Sequence, residues 1–122
     1  KNDYLIIQSK HKNSKKYDGT YYSTVDFDFR TAAAIIDRSD LFLGSEGGFS
    51  HVAAALKTKA VIYFGGWIHP MVTGYNFHEN IYFEHPQSPC GSIGYICDHC
   101  EEARNCIKVN AVYKKVISSL VK

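Results

Sequence analysis

The apolar residues of this chain fall in short runs separated by polar or glycine-rich stretches. Tyr4-Leu-Ile-Ile-Gln8 is rich in β-branched residues and predicts a buried strand. Ser9 to Thr20 is polar and carries an Asp18-Gly19 turn signal. Tyr21 to Phe29 mixes aromatic and β-branched residues with Asp26 and Asp28, the pattern of an edge strand. Thr31 reads as the N-cap of a short helix over Ala32 to Ile36. Asp40 to Leu43 predicts a strand, Phe49 to Lys57 a helix, and Ala60 to Phe64 a further buried strand. Near the end, Asn110 reads as the N-cap of a helix with Val112, Tyr113, Val116, Ile117, Leu120 and Val121 on one face.

Short strands alternating with helices predict an α/β fold built on a parallel sheet, a Rossmann-like three-layer arrangement. Helices on both faces of such a sheet explain why its strands read as continuous apolar runs. Between Trp67 and Gly94 this rhythm stops. That stretch holds all three prolines and reads as a surface excursion with one strand at Asn80 to Phe83. Excursions of this length in a compact domain are usually functional.

The 122 residues suffice for one domain with a real core and are too few for two. A hydrophobic fraction of 45% argues for a folded chain rather than a disordered one. A net charge of +2 does not by itself call for nucleic acid. Lys10, Lys12, Lys15 and Lys16 do cluster with His11, either as a solvated loop or as an attraction for phosphorylated ligands or an anionic membrane surface. No apolar run approaches the ~20 residues of a membrane helix. The chain opens at Lys1, without a methionine start and directly before a strand-like run, so it reads as a segment of a longer protein.

The richest candidate chemistry lies in Gly44-Ser-Glu-Gly-Gly-Phe-Ser-His51, at the carboxyl end of a predicted strand and the start of a helix. Ligands of open α/β sheets bind at such ends, and helix N-termini favour anions. Gly44, Gly47 and Gly48 permit tight turns and close backbone approach, and three alanines let the following helix pack closely. The spacing is neither that of a P-loop nor that of a dinucleotide fingerprint. His51 is placed to donate to a phosphate oxygen, or equally to cap the loop structurally. Glu46 would repel a diphosphate, so it points to sugar hydroxyls or acts as a cap. Trp67 is placed to stack on a base or sugar face, or simply to pack against the loop.

The stretch from Asp40 to Gly65, with its acid-Gly-Gly-x-x-His loop, small-residue helix and strand ending in Phe64-Gly65, resembles the signature of family 9 glycosyltransferases. These are heptosyltransferase-like enzymes of lipopolysaccharide and surface-glycan synthesis. Pro70-Met-Val-Thr-Gly-Tyr75, the cysteines and the terminal helix resemble the family's tail, so the likeness runs roughly from Thr31 to Leu120. It implies part of the C-terminal, donor-binding half of a two-domain GT-B enzyme. By that likeness, Ser45, Glu46, Gly47, Gly48 and His51 hold a nucleoside-diphosphate sugar, and Thr73 and Gly74 approach it. The acid here is Glu46 where the family pattern has aspartate. The resemblance places the catalytic base on an N-terminal domain outside this chain, so no catalytic residue is assigned here. It also implies no required cofactor, a glycan or lipid-linked acceptor engaged through that other domain, no nucleic acid, and a cytoplasmic location with at most peripheral contact with the inner membrane.

The four cysteines, Cys90, Cys97, Cys100 and Cys106, are the candidate metal ligands, with His99 between them. Cys97-x2-Cys100 can pinch a zinc ion, although two such pairs would make a standard ribbon. Reduced thiols packing a loop are the other reading, and disulfides would need an oxidising compartment that nothing else suggests. Two alternatives to a transferase therefore stand: a non-catalytic nucleotide or phospho-sugar binding module, and a small zinc-stabilised interaction domain.

Overall fold

In the computed structural model, residues 4–9, 13, 15–22, 27–92, 94 and 97–121 are described. The chain divides into two compact units, the first ending at Ile35 and the second running from Ile36 onward. Lys10, His11 and Lys12 of the basic cluster lie outside the described residues, as do residues 23–26 of the predicted edge strand.

In the first unit, β1 (Ile7–Gln8) pairs in parallel with β2 (Tyr21–Tyr22). Sequence predicts a longer, buried strand from Tyr4. Instead Leu5 is 79% and Ile6 55% exposed, because a two-stranded sheet has no inner face on which to bury them. The connection is organised by the Gln8 amide. Its Nε2 donates to the Lys15 carbonyl (2.6 Å), and its Oε1 accepts from Tyr17 N–H and the Thr20 hydroxyl (both 3.0 Å). Helix α1 (Phe29–Asp37) starts earlier than predicted. The cap is Asp28 rather than Thr31: its Oδ1 accepts from the Thr31 amide at 2.7 Å. That bond holds the Asp28 carboxyl below its ordinary pKa.

The second unit contains a three-stranded, all-parallel sheet in the order β3 (Phe42–Ser45), β4 (Ala60–Tyr63), β5 (Glu79–Ile81). Phe42 stands opposite Ala60, and Val61 opposite Glu79. The molecule is therefore mixed α/β with a small parallel sheet. Strand β3 lies two residues later than the apolar run suggests, so Gly44 and Ser45 belong to the strand rather than to a loop. Helix α2 (Gly48–Ala55) makes the crossover and packs on β3 and β4. Its Ala53 joins Ile36, Ala60, Ile62 and Phe64 in the core, with Phe42, Val52, Ile68 and Tyr82 packed around them. Val61, on the other face by strand alternation, is also fully buried, and α5 (Val109–Leu120) packs on β4. Lys115 pairs with Glu79 of β5 at 2.8 Å and helps to seat α5.

Both faces of β4 are thus covered from Ala60 to Ile62, as its unbroken apolar sequence requires, and Tyr63 at its end is exposed. Leu43 of β3 remains half exposed. The predicted apolar face of α5 is only partly realised: Val112, Val116, Ile117 and Leu120 are half-buried, whereas Tyr113 and Val121 are exposed. The helix begins after Lys108 rather than at Asn110. The excursion contains α3 (Pro70–Thr73), and α4 (Asp98–Asn105) follows it in the cysteine segment. No helix among the described residues is long and apolar enough to cross a membrane.

Candidate functional site

Two constellations arise near the carboxyl ends of the parallel strands. The first is built on the glycine turn between β3 and α2. Ser45 ends the strand, and the Glu46 amide extends the ladder by donating to the Tyr63 carbonyl at 3.0 Å. Gly47 caps α2 with φ 154°, a conformation that strains any residue carrying a Cβ. The buried Ser50 hydroxyl closes the turn, accepting from Gly47 N–H (3.3 Å) and donating to the Gly47 carbonyl (2.6 Å). Gly48 is the exposed first residue of the helix. Among the described residues, Glu46 forms no ion pair.

His51, also exposed, sits in the first turn of α2. Its Nδ1 lies 2.8 Å from the Tyr75 hydroxyl, and the two rings meet edge to face. This contact brings the glycine turn beside the end of α3, which carries Thr73 and Gly74. His69 caps α3 by accepting from the Met71 amide at 3.0 Å, and Asn80 of β5 fixes the following turn by donating to the Tyr75 carbonyl at 2.9 Å. An open cleft of about 460 Å³ is lined by Pro70, Met71, Gly74, Tyr75, Asn76 and Asn80. The Thr73 hydroxyl and the Asn80 side-chain carbonyl are buried without a hydrogen-bond partner among the described residues. Such groups cost free energy unless a ligand or water satisfies them. Of the sequence candidates, the structure joins His51 to the Thr73–Tyr75 segment and leaves Ser45 and Glu46 at the strand end. Sequence reasoning did not assign roles to Tyr75 and Asn80.

His78, next to this region, is 6% exposed, and among the described residues its ring nitrogens have no well-formed hydrogen bond, only a weak approach to the Thr58 backbone. Burial pushes its pKa below the ordinary histidine value, with the Thr58 backbone partly opposing.

The second constellation is a candidate metal centre. Cys90, Cys97, His99 and Cys100 bring four ligand atoms within 4.8 Å of one another. Cys100 Sγ lies 2.7 Å from Cys90 Sγ and 2.8 Å from Cys97 Sγ, and His99 Nε2 lies 3.4 Å from Cys97 Sγ. Ligands on one tetrahedral zinc ion, with Zn–S of about 2.3 Å, stand roughly 3.8 Å apart, so small outward shifts would admit an ion. The donor set itself, three thiols and one imidazole, is that of a closed structural site.

Of the four candidate cysteines, Cys90, Cys97 and Cys100 join this cluster together with His99, and Cys106 is not among its members. The cause is helical geometry. Cys106 follows Cys100 by six residues, so it is turned about 240° around the helix and moved ~9 Å along it. Cys97 is the N-cap of α4. Contact with the Cys100 thiol, with help from Ser92, lowers the Cys90 pKa to about 6, while burial raises that of Cys100 to about 12. The His99 ring stacks against His85, which is held by Glu102 (3.2 Å) and the Gln87 amide (3.1 Å). The signals for α4 were present in the sequence, with Asp98 and Glu101 in its first turn and Arg104 in its last.

The two constellations share the turn after β4. Cys90 N–H donates to the Gly66 carbonyl and Gly91 N–H to the Trp67 carbonyl, both at 2.9 Å. Gly66 is buried, and there is no room for a Cβ between Ser88, Cys100 and Ala103. Trp67 is half-buried in this turn. Comparison with protein-family models, curated proteins and solved structures finds no match to the chain.

Proposed function

We propose that this chain is the nucleotide-sugar donor-binding portion of an inverting glycosyltransferase resembling family 9, corresponding to part of the C-terminal half of a GT-B enzyme. Its sheet topology and its strand–glycine turn–helix unit support that reading. The observation that carries it is the His51–Tyr75 hydrogen bond, which sets the N-terminus of α2 beside the Thr73–Tyr75 segment. With Tyr75 donating to Nδ1, the His51 proton resides on Nε2, ready to donate to a diphosphate oxygen. The α2 dipole and the amides of its first turn add to the stabilisation of a leaving diphosphate. Glu46 accepts from sugar hydroxyls, and Thr73 and Asn80 gain the partners they lack. The acceptor is deprotonated by a base outside this chain. The working location is the cytoplasm.

Within the same proposal, zinc at Cys90, Cys97, His99 and Cys100 is structural. All four positions are taken by protein, which leaves no place for substrate. The same donor set supports the second reading, a zinc-stabilised interaction domain without nucleotide chemistry.

Melting the protein with UDP, ADP, GDP and CDP separates the two: a nucleoside diphosphate stabilises only a donor-binding chain. Calorimetry then tests the site. His51→Ala removes one charge-assisted hydrogen bond and weakens the best nucleotide about 10- to 100-fold. Equal affinity in both proteins rejects the role. Metal analysis of purified protein should return one zinc per chain, and a clearly sub-stoichiometric content would rule out the structural ion.

A further inference from the structure

We infer that metal loading and nucleotide binding are coupled through the segment from Gly65 to Tyr75. The inference rests on both readings above and adds a regulatory link between them. The segment is held at two ends by different sites. At its start, the metal loop supplies the amides of Cys90 and Gly91 to the Gly66 and Trp67 carbonyls, each at 2.9 Å. Around Gly66 close Ser88 from the loop before Cys90, and Cys100 and Ala103 from α4. At its far end, Tyr75 meets His51 at 2.8 Å, with its carbonyl held by Asn80 at 2.9 Å. Between these anchors the segment is short and constrained. Ile68 packs on the core, His69 meets Tyr82 edge to face, and α3 is closed by the Gly74 amide on the Pro70 carbonyl at 2.7 Å.

Without a metal, Cys90 meets α4 through its thiol contact with Cys100 (2.7 Å), and Cys97 joins the helix through its own thiol and the capping bonds of its carbonyl. Loop closure then competes with the conformational entropy that the metal would otherwise offset. When the loop departs, Gly66 and Trp67 lose their donors, and the segment that presents Tyr75 gains alternative arrangements. The apparent affinity for a ligand scales with the fraction of molecules holding the competent arrangement. A tenfold fall in that fraction gives a tenfold weaker ligand. Linkage requires that the ligand tighten metal binding by the same factor.

The chain provides its own reporter, since Trp67 is the only tryptophan. Protein stripped with a chelator under reducing conditions is titrated with Zn²⁺ while Trp67 emission is followed. The expected result is a change that saturates at one equivalent, with far-ultraviolet circular dichroism unchanged. UDP, ADP and GDP are then titrated into the loaded and stripped proteins, and the best binder should be roughly tenfold weaker in the stripped form. Should the stripped chain unfold, the reciprocal arm decides: on loaded protein, saturating nucleotide should slow zinc transfer to a chromophoric chelator and raise zinc affinity by the same factor. His51→Ala should keep zinc and the Trp67 response but lose the nucleotide effect on zinc.

Zinc binding that leaves Trp67 emission unchanged overturns the inference. So does a nucleotide that binds the loaded protein without altering zinc affinity. The underlying readings fail differently: absence of nucleotide binding with an intact Trp67 response removes the ligand site and with it the coupling, whereas absence of zinc binding removes the metal centre and with it the coupling.

Discussion

Replacing Gly66 by alanine adds a single methyl group at the point where the two sites join. Built on the observed backbone, that Cβ would lie 2.7 Å from Ser88 Oγ, 3.0 Å from Ala103 Cβ and 3.0 Å from Cys100 Cα. The serine hydroxyl can rotate away. The other two atoms cannot, since Ala103 is 2% exposed and the Cys100 Cα belongs to the helix that carries two of the four proposed ligands. Relief therefore moves α4 relative to the turn and stretches the ligand set. Overpacking of this kind costs roughly 1–3 kcal/mol. At about 2 kcal/mol, a domain of this size loses ~8 °C in its melting midpoint, and zinc affinity falls in parallel. Gly65→Ala is the matched control, because the nearest atom to its Cβ, Trp67 Cδ1, is 4.0 Å away, an ordinary contact. Melting curves and zinc competition on both zinc-loaded variants provide the assay. If the two alanines behave alike, or if Gly66→Ala binds zinc as tightly as the parent chain, close packing at Gly66 does not hold the metal loop.

The ligand assignment makes a second contrast. His99→Ala and Cys100→Ser should each lose stoichiometric zinc, whereas Cys106→Ser should retain it; a zinc-free Cys106→Ser protein would restore the four-cysteine set. Because zinc binds thiolates, affinity at this centre should fall as pH is lowered, read by chelator competition from pH 8 to 6. The depressed pKa of His78 predicts an acid-labile fold. Above pH ~6.5 the ring is neutral in both folded and unfolded chains, so it contributes no slope. As pH falls below that value the unfolded chain takes up the proton first and stability declines, until the folded-state pKa is reached. His78→Leu should flatten the fall in melting temperature between pH 7 and 5, and an unaltered slope would show that His78 does not titrate in this way.

The second unit was legible in the sequence where burial dictates composition. Ala60 to Phe64 is apolar at every position because β4 is covered on both faces, and β4 occupies all but the last of those positions. The glycine turn also emerged as expected, although the strand before it extends through Gly44 and Ser45 because ladder bonds, not side-chain polarity, decide where a strand stops. Sequence failed where long-range geometry decides. Leu5 and Ile6 look like core residues, yet a two-stranded pair offers them no layer. Thr31 looks like a cap, but the shorter path from Asp28 to the Thr31 amide captures the helix start. Cys106 looks like a ligand by count, and only the turn of α4 shows that it lies outside the cluster that His99 joins. The pairing of His51 with Tyr75 spans 24 positions and depends on β5 fixing the turn after α3, which no local pattern encodes.

The Gln8 side chain has a consequence for how the chain finds its shape. Parallel strands are usually bridged by a helix, and closing such a unit waits on distant contacts. Between β1 and β2 the described residues contain no helix, and one amide gathers Lys15, Tyr17 and Thr20 at separations of only 7 to 12 positions. These are local contacts, quick to form and cheap in loop entropy. Tyr21 stands opposite Ile7, so the register of this strand pair is set by contacts within its own turn.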